Sequence, residues 1–498
     1  MTCLWSRAVP SEAAAALGKG VSAQVLRGIS RNSAFLVAGQ FLSRVVGFVY
    51  ILILAHYFGV EDFGTFNLVI SFVLITMTGI EFGLGRLMVR DLARDAGLIP
   101  SYLSTLLPLR AALALAGYLV LLTIIWMVGY SGHMLVLTAI AAVALFPTSL
   151  GLVFESLFQA RQQMRYSAAG EVVAALVQCS VGTAIIVAGG SLNAVLAAGV
   201  VAALAYMAFL ARRARACGYP FHPRFDRQLC ANLVRQAAPF AVVTLFAILA
   251  NRAELLILSG MSTAENIGLF SAAARFPETA LLLPAVLVSA AAPALSQLHA
   301  SSREHLRSVY MWILHHVLSV TLPLTLAGVV LAESILGLLF PPDYRRATLV
   351  LQLLFCAFPL ASVQMINSVV LLMSNRPRLM LFNVAVSTGV QFGLSLILIS
   401  RFGLFGAAFS ALASQVFNSA FSYWCVRTWF VDTTGLGRLL APLAAAGVVS
   451  VALTAILIDA WGVWSLGPAV CAYAVVLVLL NRFWPARQMP ATAGMDSR

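Results

Sequence analysis

The sequence predicts an all-α polytopic membrane protein, and three observations carry that fold class. About fourteen apolar stretches follow one another, each long enough to cross a bilayer. Hydrophobic residues make up 61% of the chain and charged residues only 10%, with a mean hydropathy of +0.94, far from the composition of a soluble domain. Finally, the arginines fall almost wholly on alternate connectors. A hydrocarbon core of roughly 30 Å needs about 20 helical residues, and lipid cannot satisfy exposed backbone groups, so each stretch reads as a helix.

Taken in order, the predicted helices cover 33–55, 66–89, 103–128, 134–158, 168–188 and 192–211, then 236–258, 267–298, 309–340, 348–373, 379–400, 405–430, 439–458 and 463–483. Residues 1–32 lack a continuous apolar core with a small-residue cleavage site, so they read as a cytoplasmic lead-in and not a cleavable signal. Pro108, Pro147, Pro239, Pro277, Pro284, Pro293, Pro323 and Pro359 fall inside spans, where each removes a backbone donor and favours a kink.

Charge orients the chain. Arg90 and Arg94, Arg161 and Arg165, the run from Arg212 to Arg235, Arg303 and Arg307, and Arg376 and Arg378 all lie on connectors of one parity. The positive-inside rule makes that side cytoplasmic, with both termini cytoplasmic, at the bacterial inner membrane. Arg345, Arg346 and Arg401 are the exceptions. The net charge of +13 is thus a topological signal; the basic residues are dispersed and not interleaved with base-stacking aromatics, which argues against nucleic acid. The seven cysteines show no paired metal-ligand spacing, and no Gly-rich Lys-Ser/Thr nucleotide loop occurs, so no cofactor or ATP hydrolysis is expected.

The chain also repeats itself. Glu61-Asp62-Phe63-Gly64-Thr65-Phe66, between the first two helices, recurs as Glu265-Asn266-Ile267-Gly268-Leu269-Phe270, between the seventh and eighth. Two six-helix halves starting on the same side make parallel repeats about an axis along the membrane normal. The domains read as the lead-in, an N-lobe over 33–211, a basic linker over 212–235, a C-lobe over 236–430, two further helices over 431–484 and a cytoplasmic tail over 485–498, with a central cleft between the lobes.

These signals resemble the multidrug/oligosaccharidyl-lipid/polysaccharide exporter superfamily, and within it the polysaccharide-transport branch of Wzx-type oligosaccharide flippases. The resemblance runs from Asn32 to Phe430. It is carried by Asn32-Ser33 with Gln40, by the segment from Leu54 to Gly64, by Glu81-Phe82-Gly83-Leu84 followed by Arg90-Asp91-Leu92-Ala93-Arg94, by Ile267 to Ala273 leading to Pro293-Ala294-Leu295-Ser296, and by Gly403 to Ala408. It implies a non-enzymatic transporter working by alternating access. Where the family commonly carries an aspartate late in the seventh helix, this chain has Glu254.

Candidate functional residues are the polar groups that lipid penalises, since a charge at mid-helix costs at least about 2.5–3.5 kcal/mol and so faces protein or a watery cavity. Gln40, Arg44 and Gly47 share a face of the first helix; Asn67, Ser71, Thr78, Glu81 and Gly85 share one of the second. In the eighth, Ser271, Arg275, Glu278, Ser289 and Ser296 align, and the seventh offers Gln236, Thr244 and Asn251 beside Arg252 and Glu254. Gln40, Arg44, Asn251, Arg252 and Arg275 are the candidate substrate-binding residues, because arginine's fork suits the pyrophosphate of a lipid-linked sugar. Glu81, Glu254 and Glu278 are candidates for ion coupling or ion pairing. Arg275 and Glu278, three apart, can equally neutralise each other, and Arg44 can bond Glu81 on the next helix. Arg110, near the start of its helix, is expected to snorkel.

The expected function is the flipping of undecaprenyl-pyrophosphate-linked oligosaccharide units for exopolysaccharide, capsule or O-antigen assembly. Membrane lipid, polysaccharide polymerase and export proteins are the expected partners. The alternatives are a cation-coupled multidrug exporter or a lipid II flippase and, in another class, a membrane glycan polymerase or ligase. An arginine-lined cleft would repel cationic drugs, and the short external connectors leave little room for a catalytic loop.

Overall fold

A computed structural model describes residues 23–219, 225–289, 303–373, 377–429 and residue 473. The tail, Pro293 to Ser296, Arg376 and, apart from Tyr473, the predicted thirteenth and fourteenth helices lie outside the described residues. Those residues are helical almost throughout, with no strand among them. The helices are α1 (Ala23–Glu81), α2 (Leu84–Arg94), α3 (Ile99–Val128), α4 (Gly132–Ala142), α5 (Leu145–Ala160), α6 (Met164–Val187) and α7 (Leu192–Ala216). They continue as α8 (Arg227–Met261), α9 (Ala264–Ala280), α10 (Arg303–Val330), α11 (Ala332–Leu339), α12 (Thr348–Met373) and α13 (Pro377–Trp429).

Ten segments among the described residues are long and apolar enough to cross a membrane. Two of them, Ala38–Glu81 and Leu379–Thr428, run to 44 and 50 residues. At 1.5 Å per residue these would extend about 66 and 75 Å, twice a hydrocarbon core, so each holds two crossings. A glycine divides each: Gly59 at φ 70° and Gly403 at φ 54° turn the chain where other residues would be strained. The ten segments thus account for the twelve predicted spans that fall on described residues.

Four spans differ from the sequence expectation. The second helix ends at Glu81 and not near Val89, because Phe82 and Gly83 both take positive φ. The Glu81 carboxylate accepts the backbone N–H groups of Gly83 and Gly85 at 3.2 and 3.3 Å, satisfying orphan donors at the start of α2. Gly85 therefore sits on α2 and not on the polar face of the second helix. The fourth and eighth spans are interrupted at Ala142 and Ala280, within five residues upstream of Pro147 and Pro284, whose missing N–H groups leave carbonyls one turn back without a helical donor. The expected ninth span likewise divides into α10 and the short α11 at Leu331.

Helix α2 is amphipathic. Leu84, Leu87, Met88 and Leu92 are buried, whereas Arg86, Arg90 and Arg94 stand exposed one turn apart. Burial pushes the Asp91 carboxyl up, but hydrogen bonds from Arg90 (2.7 Å) and Tyr102 (2.6 Å) outweigh it and hold the group below its usual range. The stabilisation is therefore present above the ordinary carboxylate pKa and is lost as pH falls through the lowered folded value.

The described helices fall into two compact units. The first holds the described residues up to Tyr50 together with Ile80–Gly129 and Ala139–Ala238. Its core joins Leu87, Met88 and Leu92 of α2 to Leu103 and Leu106 of α3, Val153, Leu157 and Phe158 of α5, and Leu210 of α7. The second holds Ile51–Gly79, Tyr130–Thr138 and the described residues from Pro239 onward. One of its clusters joins Tyr310, Ile313 and Val317 of α10 to Ile366 and Val370 of α12 and to Cys425 and Val426 of α13.

Both copies of the repeated turn belong to the second unit, and they pack against each other. A Cβ on Gly64 would lie 1.9 Å from the Ala264 carbonyl oxygen, and one on Gly268 would lie 2.1 Å from the Val60 carbonyl oxygen. Only glycine allows backbones so close. Around this crossing Tyr344 donates to the Gly59 carbonyl at 3.2 Å, the Phe63 and Tyr344 rings meet edge to face, and Arg346 pairs with Glu265. Arg346, an exception to the charge rule, thus has its own acidic partner.

Because a methyl group at either glycine meets backbone and not a movable side chain, Gly64→Ala or Gly268→Ala should cost at least about 1–3 kcal/mol as overpacking. The thermal unfolding midpoint of the detergent-solubilised protein should fall for each. An unchanged midpoint for both would contradict the crossing.

Candidate functional site

The second unit gathers most of the predicted polar residues. Asn67, one turn beyond Gly64, is buried; its amide donates to the Phe63 carbonyl at 2.8 Å. That orientation leaves its oxygen to accept from Arg275 Nη2 at 2.7 Å, a bond joining the second helix of the first repeat to α9. Nearby Ser71 and Ser271 are also buried, and Ser271 Oγ has no hydrogen-bond partner among the described residues.

Glu278 lies one turn along α9 from Arg275, its Oε2 3.7 Å from Arg275 Nη1, while Oε1 is 3.6 Å from Arg252 Nη1 on α8. Of the sequence alternatives for Arg275, the pairing with Glu278 is present, and the same side chain also bonds Asn67. These charge contacts are longer than hydrogen bonds, so they leave guanidinium donors unspent. Arg252 Nε is buried and has no hydrogen-bond partner among the described residues. Two arginines face one carboxylate here, which leaves the three groups with a net positive charge.

Two predicted residues of α8 stand apart from this network. Asn251 is exposed, and its side chain bonds back to the Ala247 carbonyl at 2.9 Å. Glu254 is buried and accepts from Gln391 Nε2 of α13 at 2.9 Å. The same amide donates to the Ala250 carbonyl at 2.8 Å, so Gln391 clamps the carboxylate to its own helix.

Glu81, Gln40 and Arg44 belong to the first unit. Glu81 pairs with Arg110 Nη2 at 3.8 Å, so its nearest cation is Arg110 and not Arg44. The expectation that Arg110 snorkels is overturned: it is 1% exposed, and Nη1 donates to the Ile80 carbonyl at 3.4 Å. An acid within reach makes inward burial affordable for a guanidinium that would otherwise seek the interface. Arg44 is exposed and lies within electrostatic range of Glu171 on α6, which is hydrogen-bonded to Gln40. The polar residues that sequence reasoning missed are Glu155, Glu171 and Tyr206. The signal that could have found the two acids is a lone carboxylate in an otherwise apolar span.

No cluster of three or more His, Cys, Asp or Glu side chains able to hold a metal ion occurs among the described residues. The arrangement in the second unit is suited to binding an anion: it presents guanidinium forks, a buried amide and hydroxyls. Breaking the buried Glu81–Arg110 pair from one side should cost about 3–5 kcal/mol, because the remaining charge is left uncompensated. Accordingly, Glu81→Gln should lower the yield of folded protein on size-exclusion chromatography, and adding Arg110→Leu should restore much of it. A double variant worse than either single change would show that the two do not interact.

The profile of a family described as "Polysaccharide biosynthesis protein" matches residues 29–299, more than half of the chain. No curated protein matches the chain significantly. Among solved structures, the lipid II flippase MurJ in an inward closed conformation is similar in fold at 12% identity, with a TM-score of 0.77 over 90% of this chain and 99% of that one. An inward-facing multidrug resistance MATE family transporter of the MOP superfamily gives a TM-score of 0.62 at 14% identity, over 78% of this chain and 95% of that one. A MOP superfamily transporter from Pyrococcus furiosus gives 0.59 at 13% identity, over 80% and 96%.

Proposed function

The chain belongs to the polysaccharide biosynthesis protein family, and on that premise we propose that it is a non-enzymatic flippase for lipid-linked oligosaccharides. Its cargo is an undecaprenyl-pyrophosphate-linked repeat unit, carried across the bacterial inner membrane for exopolysaccharide, capsule or O-antigen assembly. Both termini lie in the cytoplasm, the orientation given by the arginine-rich connectors.

The observation that carries this reading is the Arg252, Glu278 and Arg275 cluster with its buried, unpartnered Nε. A pyrophosphate brings several acceptor oxygens, and guanidinium forks bind such oxygens through paired, charge-assisted hydrogen bonds. Glu278 holds the two arginines at a common distance while leaving one net positive charge to be neutralised by cargo. The two arginines are only partly exposed, so that charge attracts an anion more strongly than it would in bulk water. The sugars need only a wide polar path, and the polyprenyl tail stays in lipid.

Translocation by alternating access requires an end of the transporter to open and close. The Gly64 and Gly268 crossing supplies a contact between equivalent turns of the two repeats that can serve as one such closure, and the Asn67–Arg275 bond lies just beyond it. A headgroup reaching Arg275 would compete with Asn67 for the guanidinium, which gives cargo a way to weaken the closure.

The reading favours an anionic cargo over a cationic drug, because the cluster's charge has the wrong sign for a cation. The family description favours a polysaccharide precursor over lipid II, to which the MurJ structure's description refers. In cells, Arg252→Ala and Arg275→Ala should each reduce surface glycan at least about tenfold at equal membrane protein levels. Lysine in either place should recover part of it, since charge is kept and the fork is lost. Normal surface glycan in both alanine variants would overturn the cationic site.

A further inference from the structure

At one end of the first unit lies a cationic cluster that the cargo site does not use. Two helix-ending turns meet there. The turn after α5 passes through Gln162 at φ 54°, with the Gln163 N–H donating to the Phe158 carbonyl at 2.8 Å. The turn after α7 passes through Gly218 at φ 74°, with the Tyr219 N–H donating to the Ala214 carbonyl at 3.2 Å. Tyr219 fastens the two together: its hydroxyl donates to Gln163 Oε1 at 3.2 Å, and its ring meets that of Phe158 edge to face at 6.4 Å. Phe158 is fully buried and lies 5.1 Å from the ring of Tyr166, in the first turn of α6.

Two guanidiniums converge on the Tyr166 ring. Arg165 of α6 stands 4.7 Å from the ring centre and donates to the Tyr166 hydroxyl at 2.9 Å. Arg213 of α7 stands 5.9 Å from the same centre and 5.3 Å from that of Phe209, one turn back along its own helix. Both arginines are exposed, and among the described residues neither forms an ion pair. The ring attracts each cation and limits where its fork can go, while a guanidinium carries more N–H donors than one hydroxyl can occupy. Two positioned forks are thus left with open donors and with like charges that repel. An anion bound by both would relieve that repulsion.

The depth of the cluster indicates which anion. Helices α6 and α7 have 24 and 25 residues, about 36 and 38 Å at 1.5 Å per residue, against a hydrocarbon core of roughly 30 Å. Tyr166 and Arg213 stand in terminal turns and Tyr219 just beyond one, so all three reach the headgroup layer. Tyrosine is enriched at that level, where its ring meets the apolar boundary and its hydroxyl the polar one. Lipid phosphates lie there too.

We propose that Arg165 and Arg213, positioned by Tyr166, bind the phosphate of an anionic phospholipid and hold one such lipid at the joined ends of α5, α6 and α7. The forks meet the phosphate oxygens through charge-assisted hydrogen bonds. A zwitterionic lipid brings an ammonium of its own, which two arginines repel; an anionic headgroup such as phosphatidylglycerol does not. The site requires neither the flippase reading nor the arginine cluster of the second unit.

The test uses the purified full-length protein, delipidated in detergent, and native mass spectrometry with phosphatidylglycerol or phosphatidylcholine added stepwise. Wild type should bind its first phosphatidylglycerol at least about fivefold more tightly than its first phosphatidylcholine, and Arg165→Gln and Arg213→Gln should each weaken the former about fivefold. Arg215 supplies the control, being exposed in the same last turn of α7 but two residues on, across the helix from Arg213. Arg215→Gln removes an equal charge and should leave binding unchanged. Tyr166→Phe keeps the ring and should retain most of the affinity, whereas Tyr166→Leu should lose as much as an arginine variant although every charge remains. Thermal midpoints without lipid report whether each variant is folded; should Tyr166→Leu unfold, the glutamine variants, which alter only exposed groups, decide the matter. Equal weakening by Arg215→Gln and Arg213→Gln would reduce the site to diffuse charge and overturn the proposal, as would equal affinity for the two lipids. Inorganic phosphate that competes at the lipid's own concentration would show a site for free anions and overturn the lipid assignment.

Discussion

An arginine within a membrane span must be given partners, and in the second unit that requirement ties the structure together. Placing a guanidinium at mid-helix costs about 2.5–3.5 kcal/mol on the insertion scale, whereas a bond between membrane helices returns on average about 0.6 kcal/mol. A single neutral contact is therefore not enough. Arg275 has Asn67 and Glu278, and Glu278 is shared with Arg252. The Asn67 contact depends in turn on the glycine crossing, because Gly64 and Gly268 set the distance at which the two helices run. Bulk at either glycine would separate the helices and deprive Arg275 of its amide, so packing and electrostatics there are one problem.

The same requirement is met differently in the first unit. Arg110 is buried because Glu81 lies beside it, and Glu81 in addition closes the turn into α2. One acid thus serves as counter-ion and as helix cap. Arg44 is exposed and lies only within electrostatic range of Glu171, and Glu155 takes its hydrogen bonds from the neutral donors Tyr206 and Gln159.

Much of the fold was legible in the sequence, since span length and hydropathy are local properties that lipid enforces on every helix. The repeated Glu61 to Phe66 and Glu265 to Phe270 segments were legible too, and the structure shows what they do: their glycines touch. The end of the second helix was not readable, because Phe82 and Gly83 take positive φ in an apolar stretch whose composition continues as if helical. That misplaced Gly85. Individual charged residues were found by their spacing along a helix, which picked out Arg275 with Glu278 and Arg252. Their partners on other helices, such as Asn67 for Arg275 and Arg110 for Glu81, are long-range contacts with no local signature. Glu155 and Glu171 formed no stripe of their own, so only the packing of α5, α6 and α7 brings them together.

The account as a whole makes the Arg252, Glu278 and Arg275 cluster a receptor for a pyrophosphate. Its most direct test is equilibrium binding of one oligosaccharide carried on polyprenyl pyrophosphate, on polyprenyl monophosphate and on an uncharged polyprenol, to the purified protein. The account predicts affinity falling in that order, with the difference shrinking as salt is raised. Equal affinity for the charged and uncharged lipids would contradict it.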